Sequence, residues 1–334
     1  MKRHRPAWCG TALVLGGTLV LGACAPALPQ PSAAPAPAKP AAVLTAGQLD
    51  HVSARVGATL DAADAALDAA TLPEVLSGPA LTIRAAQYRS AAATTPEAAL
   101  TALPSTLQSQ LVPTTQTWPR VAMAVTVQPE NLEAQRLVVL EQTAARSNYT
   151  LWGWARLFPG TAVPAVASAD VGTERVTDSS GLAAQIPDVL AAYADYLTTG
   201  KSSAHAKEFA KDDLVTSVMA RRTAMTKALK AIKGTYTYTF TVPQGDTMRA
   251  LRTLDGGALV VARLTARERA KGPKGSKVAP DDEVKGLLGK NPKASNALVV
   301  DRTVLVALEI PPAGSSARAT VLGAENARTS AKIP

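Results

Sequence analysis

From Ala25 to Ala42 nearly every residue is Ala or Pro, with Gln30, Ser32 and Lys39 the polar exceptions. Proline pre-extends such a chain and alanine offers little to bury, so the tract reads as a semi-rigid tether that builds no core. At about 3.1 Å per residue it reaches roughly 55 Å at most. Whatever folds therefore lies beyond it, in residues 45–334. That is about 290 residues, more than one core usually serves, and two domains are the expectation.

The residues before the tether have their own signature. Met1-Lys2-Arg3-His4-Arg5 forms a basic head, and Thr11 to Ala23 is an apolar run too short to span a bilayer as a mature helix. Leu21, Gly22 and Ala23 stand directly before Cys24. This resembles the lipobox of bacterial lipoproteins. The resemblance implies cleavage after Ala23, acylation of Cys24 and anchoring to the extracytoplasmic face of the cell membrane. It gives a signal peptide over 1–23 and a lipidated cysteine with tether over 24–44. Cys9 leaves with the signal, so no disulfide or thiolate site is expected in the folded part.

Charge is uneven. Residues 25–184 carry 9 Lys/Arg against 12 Asp/Glu, and residues 185–334 carry 23 against 14. Beyond the signal, the basicity belongs to the second half alone. An anionic envelope polymer, the membrane itself or another envelope protein are the partners this suggests; nucleic acid is not expected there. A basic surface that serves solubility fits the same counts.

The folded part opens on a capping box, Thr45 with Gln48. Leu49, Val52, Val56, Leu60, Ala63 and Leu67 then recur at helical spacing. A second helix is expected from Pro79 to Ala93, with Arg84 and Tyr88 on one side and Arg84 snorkelling at a helix edge. Strands follow over 120–128, 135–144 and 148–157. The last puts Trp152 and Trp154 two residues apart, which suits a stacking platform for a ligand and equally the core of a curved sheet. Gly160 to Gly181 is rich in small and polar residues and reads as a crossing, with a linker over 169–184.

The second half repeats the order. Helices are expected over 186–197 and 212–233, the latter starting on acids and ending on Lys227, Lys230 and Lys233 before a glycine stop at Gly234. Thr235 to Val242 alternates cleanly, placing Tyr236, Tyr238 and Phe240 on one face; Tyr236 and Tyr238 are candidate ligand contacts. A hairpin over 248–266 turns at Asp255-Gly256-Gly257, and strands follow over 297–310 and 318–324. The intervening 271–295 is polar and reads as a projecting loop. Its lysines, Lys271, Lys274, Lys277, Lys285, Lys290 and Lys293, are candidate contacts to an anionic surface.

Both halves thus run helix, helix, then antiparallel strands. This order is similar to the nuclear-transport-factor-like (cystatin-like) cone, and the chain as a whole resembles uncharacterised actinobacterial lipoproteins. The resemblance implies an α+β fold of two tandem cone-like domains, over 45–168 and 185–330, each of helices packed on a curved antiparallel sheet. Isomerases of that superfamily place a Tyr and Asp pair in a pocket, and no such pair maps onto this sequence.

Motifs for chemistry are scarce. The chain holds three histidines, His4, His51 and His205, none within ligand spacing of another. There is no Gly-x-Ser-x-Gly elbow and no Ser-x-x-Lys. Gly286-Leu287-Leu288-Gly289-Lys290 lacks the first glycine and the final hydroxyl of a phosphate loop. No cofactor, metal or catalytic residue is assigned. The sequence favours a ligand- or partner-binding envelope lipoprotein; the alternative is an envelope enzyme with an acid/base pair inside a cone.

Overall fold

The computed structural model describes residues 40–95, 99–115, 117–289 and 295–334. The signal, Cys24 and nearly all of the tether lie outside the described residues, as do Lys290 and Lys293. The first helix, α1 (Ala46–Ala66), starts on the expected capping box: Thr45 Oγ1 accepts from the Gln48 N–H, and Gln48 Oε1 accepts from the Thr45 N–H. Its apolar stripe buries Leu49, Val56, Leu60 and Ala63. Helix α2 (Gly78–Ala91) follows, and four strands complete the first half: β1 (Leu107–Leu111), β2 (Arg120–Thr126), β3 (Arg136–Gln142) and β4 (Thr150–Leu157).

The second half supplies α3 (Ile186–Thr199), α4 (Asp213–Ala231), β5 (Thr235–Thr241), β6 (Met248–Arg252), β7 (Ala258–Lys271), α5 (Asp282–Leu288), β8 (Ala297–Ile310) and β9 (Thr320–Lys332). Asp212 caps α4 by accepting from the Val215 N–H. At the far end of α4 the left-handed residue is Lys233 (φ 57°), not the expected Gly234. Gly234 is needed for another reason: a Cβ there would lie 2.7 Å from the Lys271 carbonyl.

The two sets of strands, expected in separate sheets, form one. Among the described residues the sheet has nine antiparallel strands, in the order β1-β2-β3-β4-β9-β8-β7-β5, with β6 beside β5 on β7. The junction between halves is short, with Arg156 and Leu157 of β4 opposite Ala324 and Gly323 of β9. Gly323 is required there, because a Cβ would overlap the Arg156 carbonyl. The described residues from 40 on belong to one compact unit. The segment expected as a linker is bonded to both halves, through Val112 and Thr114 on one side and Ala250, Arg252 and Pro311 on the other.

Burial explains this fusion. Side chains alternate across a strand, so β7 and β8 each present two faces. Leu259, Val261, Leu305 and Ala307 join the core built from α1, α2 and β1–β4. Val260, Ala262, Leu264, Val304 and Val306 join a second core under α3 and α4. One hairpin is therefore shared by two cores, and neither half closes without it.

Strand β5 ends the sheet order, and its outer backbone is capped by side chains. Thr198 Oγ1 accepts from the Phe240 N–H at 2.8 Å, and Arg222 donates to the Tyr238 carbonyl at 2.8 Å. Groups that would otherwise template another strand are thereby occupied. The polar 271–295 segment is only partly a projecting loop. Within it α5 docks on α2, burying Val284 and Leu287, while Ser90 donates to the Glu283 carbonyl.

Candidate functional site

Strand β9 leaves β4 after Ala324, and the fork between them opens a cleft of about 470 Å³. Arg156, Phe158, Asp213, Ser217, Glu325 and Asn326 line it. Consecutive residues of a strand face opposite ways, so Glu325 and Asn326 report to different cores. Glu325 Oε2 accepts from the Trp154 indole N–H at 3.0 Å, on the side of the first core. Asn326 Nδ2 donates to the Tyr238 hydroxyl at 3.1 Å, within the second. Asn326 Oδ1 is buried with no hydrogen-bond partner in the protein.

Burial pushes the Glu325 carboxyl above the usual range, against the opposing pull of Arg156 and the Trp154 indole. Arg156 itself is paired with Glu133 at 3.3 Å. The cleft thus presents one carboxyl whose pKa is raised by burial, one unpaired amide oxygen, a serine and an aspartate, over an apolar wall.

Several buried ionisable groups elsewhere are committed to fixed partners. Glu268 is held by Arg302 at 2.6 Å, by the Tyr236 hydroxyl at 2.6 Å and by Arg221. Burial alone would raise its carboxyl, but Arg302, Tyr236 and Arg221 outweigh it and hold the pKa below the usual range. Glu141 takes two bonds from Arg249, at 2.7 and 3.0 Å. Arg84 is 1% exposed and donates to Gln87 and to the Thr101 carbonyl, with Asp64 at 3.6 Å. It is a core cation, not the snorkelling edge residue expected. Tyr88, one turn further on, donates to Asp64 at 2.6 Å.

The aromatic candidates are buried too. Trp152 and Trp154 are 3% and 0% exposed, so neither ring is an open platform. They do not act as a pair: the β3 register slips opposite Trp152, leaving it without a strand partner. Arg249 sits 4.4 Å above Trp152, while Arg84 lies 5.8 Å from Trp154. Tyr236 is bound to Glu268 and Tyr238 is buried against Phe240. Trp154 and Tyr238, one from each pair, instead bond to the neighbouring residues Glu325 and Asn326 from opposite sides of β9. Sequence reasoning missed both of these β9 residues, since the strand was expected to stop at Ala324 and nothing local marks Glu325 as half-buried in the sheet.

Lys271, Lys274, Lys277 and Lys285 are exposed, as expected, but Lys285 is paired with Asp282 at 2.6 Å. Among the described residues no group of three or more His, Cys, Asp or Glu is placed to hold a metal. No helix among them is long and apolar enough to cross a membrane.

No curated protein and no solved structure matches the chain. Over residues 40–333 it matches the model of the family described as Domain of unknown function (DUF8094), and the chain belongs to that family.

Proposed function

We propose that this is a lipid-anchored protein of the extracytoplasmic membrane face that binds an envelope ligand or partner and performs no chemistry on it. The Leu21–Cys24 signature supports the anchor. The helix, helix, strands order of each half supports two cone-like units sharing one sheet. The observation that carries the binding reading is how the buried carboxylates are used. Glu141 and Glu268 are each pinned by arginines, so they anchor structure and move no proton. Positive charge outside such pairs stands on the surface of the second half, at Arg269, Lys271, Lys274 and Lys277.

Cys24→Ser is expected to shift the protein from the membrane fraction to the medium, or to leave it uncleaved. A correctly cleaved variant that stays on the membrane refutes the anchor. A pull-down of the full chain from native membranes is expected to recover the same partner with wild type and with Glu325→Gln.

Glu325 favours a second reading, in which the fork cleft is an active site and the raised carboxyl a general acid. Under that reading a small molecule recovered with the protein is converted by wild type and returned unchanged by Glu325→Gln.

A further inference from the structure

Along β7 the side chains facing away from α3 and α4 are Arg263, Thr265, Arg267, Arg269 and Lys271. At the Leu259 and Val261 end this face is covered by the first half's core. From Thr265 onward it opens to water and β5 continues it with exposed threonines, while on β8 only Asp301 is half-open and Thr303 and Val299 are buried at its floor. The register places Thr241, Thr265 and Thr303 in one row across β5, β7 and β8. Thr239, Arg267, Asp301 and Ser330 form the next row, across β5, β7, β8 and β9. Thr237 stands beside Arg269, and Thr235 beside Lys271.

Rows of a sheet repeat every ~4.8 Å across strands and about 6.8 Å along them, so this is a lattice of hydroxyls studded with cations. A groove of about 380 Å³ runs over it between Thr239, Thr241, Thr265, Arg267, Thr303 and Thr329.

The charges on the face are unequal in kind. Asp301 is engaged by Arg267 at 2.6 Å and by Ser330 at 3.2 Å. Arg269 and Lys271 are exposed, and neither is in an ion pair among the described residues. Lys274 and Lys277 extend the same cationic run, both exposed. An exposed strand face is usually made soluble with charges of both signs, whereas β5 offers only threonines here.

We propose that this open face of β5 and β7, bordered by Asp301 of β8, binds a linear polyanion whose repeating unit also carries hydroxyls, a polyol phosphate or sugar phosphate chain. Arg269 and Lys271 take the anionic groups, and the threonine rows take the hydroxyls between them. A lipid surface fits less well. Binding in a bilayer interface relies on apolar side chains that enter the headgroups, and these rows offer none that is exposed. This inference rests on the reading of the protein as an envelope binder and names the class of ligand.

The test titrates the full chain in detergent with poly(glycerol phosphate), with inorganic polyphosphate, which has charge and no hydroxyls, and with phosphatidylglycerol vesicles. Arg269→Gln with Lys271→Gln is expected to weaken poly(glycerol phosphate) binding roughly 10- to 30-fold and to flatten its salt dependence. Thr239→Val with Thr241→Val is expected to weaken poly(glycerol phosphate) while leaving polyphosphate unchanged. Unaltered thermal midpoints establish that both variants fold.

Equal loss for both polymers in the threonine variant, or none for either, overturns the hydroxyl assignment. Binding only to vesicles, lost in the Arg269/Lys271 variant, overturns it in favour of a membrane contact. No polymer binding at low salt overturns the proposal. If the native-membrane pull-down still recovers a partner in that case, the broader binding reading survives, so the two failures are distinguishable.

Discussion

The two ends of the β7–β8 hairpin are made of the same two strands and live in different surroundings. At one end Ala258–Leu264 and Val304–Ile310 are covered on both faces, and the sequence there is nearly unbroken in apolar residues. At the other, β8 stays buried, but β7 is covered only on the face toward Tyr236 and Tyr238 and alternation appears: Ala266, Glu268 and Ala270 buried, Arg267, Arg269 and Lys271 exposed. The lesson concerns periodicity. A strand shows its period of two only where one face meets water, and loses it where the sheet becomes the middle layer of a sandwich.

Three substitutions probe that contrast, from the most to the least costly. Glu268→Gln removes the acceptor of a buried network at the half-covered end, leaving Arg302 and Arg221 short of a counter-charge. It is expected to cost about 3–5 kcal/mol in urea unfolding. It also carries a pH signature. Because the folded carboxyl is held below its ordinary value, its contribution is present above the usual carboxylate range and is lost as pH falls through the depressed pKa. The wild type is therefore expected to lose stability on acidification more steeply than the variant. Parallel profiles would mean that the network does not stabilise the charge.

Leu305→Ala tests the doubly covered end. Leu305 is fully buried and belongs to the first half's core although it sits in the second half. A loss of about 3 kcal/mol is expected. The unfolding transition should stay single, since both cores share the hairpin. Two separated transitions would show that the halves are independent after all. Thr237→Ala, on the open face, is expected to move stability by less than about 0.5 kcal/mol. A larger loss would mean that the face is packed in solution, which removes it as a binding surface.

Much of the local structure was legible. The capping box at Thr45, the hairpin turn around Gly256 and the full extent of β8 follow from short-range rules. Strand β7 runs five residues past its expected end at Ala266, because Arg267, Arg269 and Lys271 look like loop residues until Ala266, Glu268 and Ala270 are seen as the buried set. Strand β9 runs past its expected end at Ala324 for a similar reason, and Glu325 and Asn326 lie in that extension. The burial of Arg84 was not legible. Its acidic neighbour Asp64 lies on another helix and its aromatic neighbour Trp154 on a distant strand, so no spacing along the chain signals the contact. Helix α5 was hidden by its length, with Val284 and Leu287 its buried residues inside a charged segment. The single sheet was hidden because element order is local information, while the β4–β9 pairing joins positions far apart in sequence.

That pairing has a consequence for how the chain is made. Strand β4 ends at Leu157 and its partner β9 begins only at Thr320. During synthesis the first four strands emerge long before anything can cover their free edge, and α1 and α2 cannot complete their core without Leu259 and Leu305. A nascent chain in that state carries an unpaired strand beside exposed apolar surface, the combination most prone to mispairing. If export delivers the chain unfolded across the membrane, both halves arrive on the same side before either has to commit. The closing of β9 onto β4 is then a late, long-range step, and the folding rate should be set by that encounter more than by any helix.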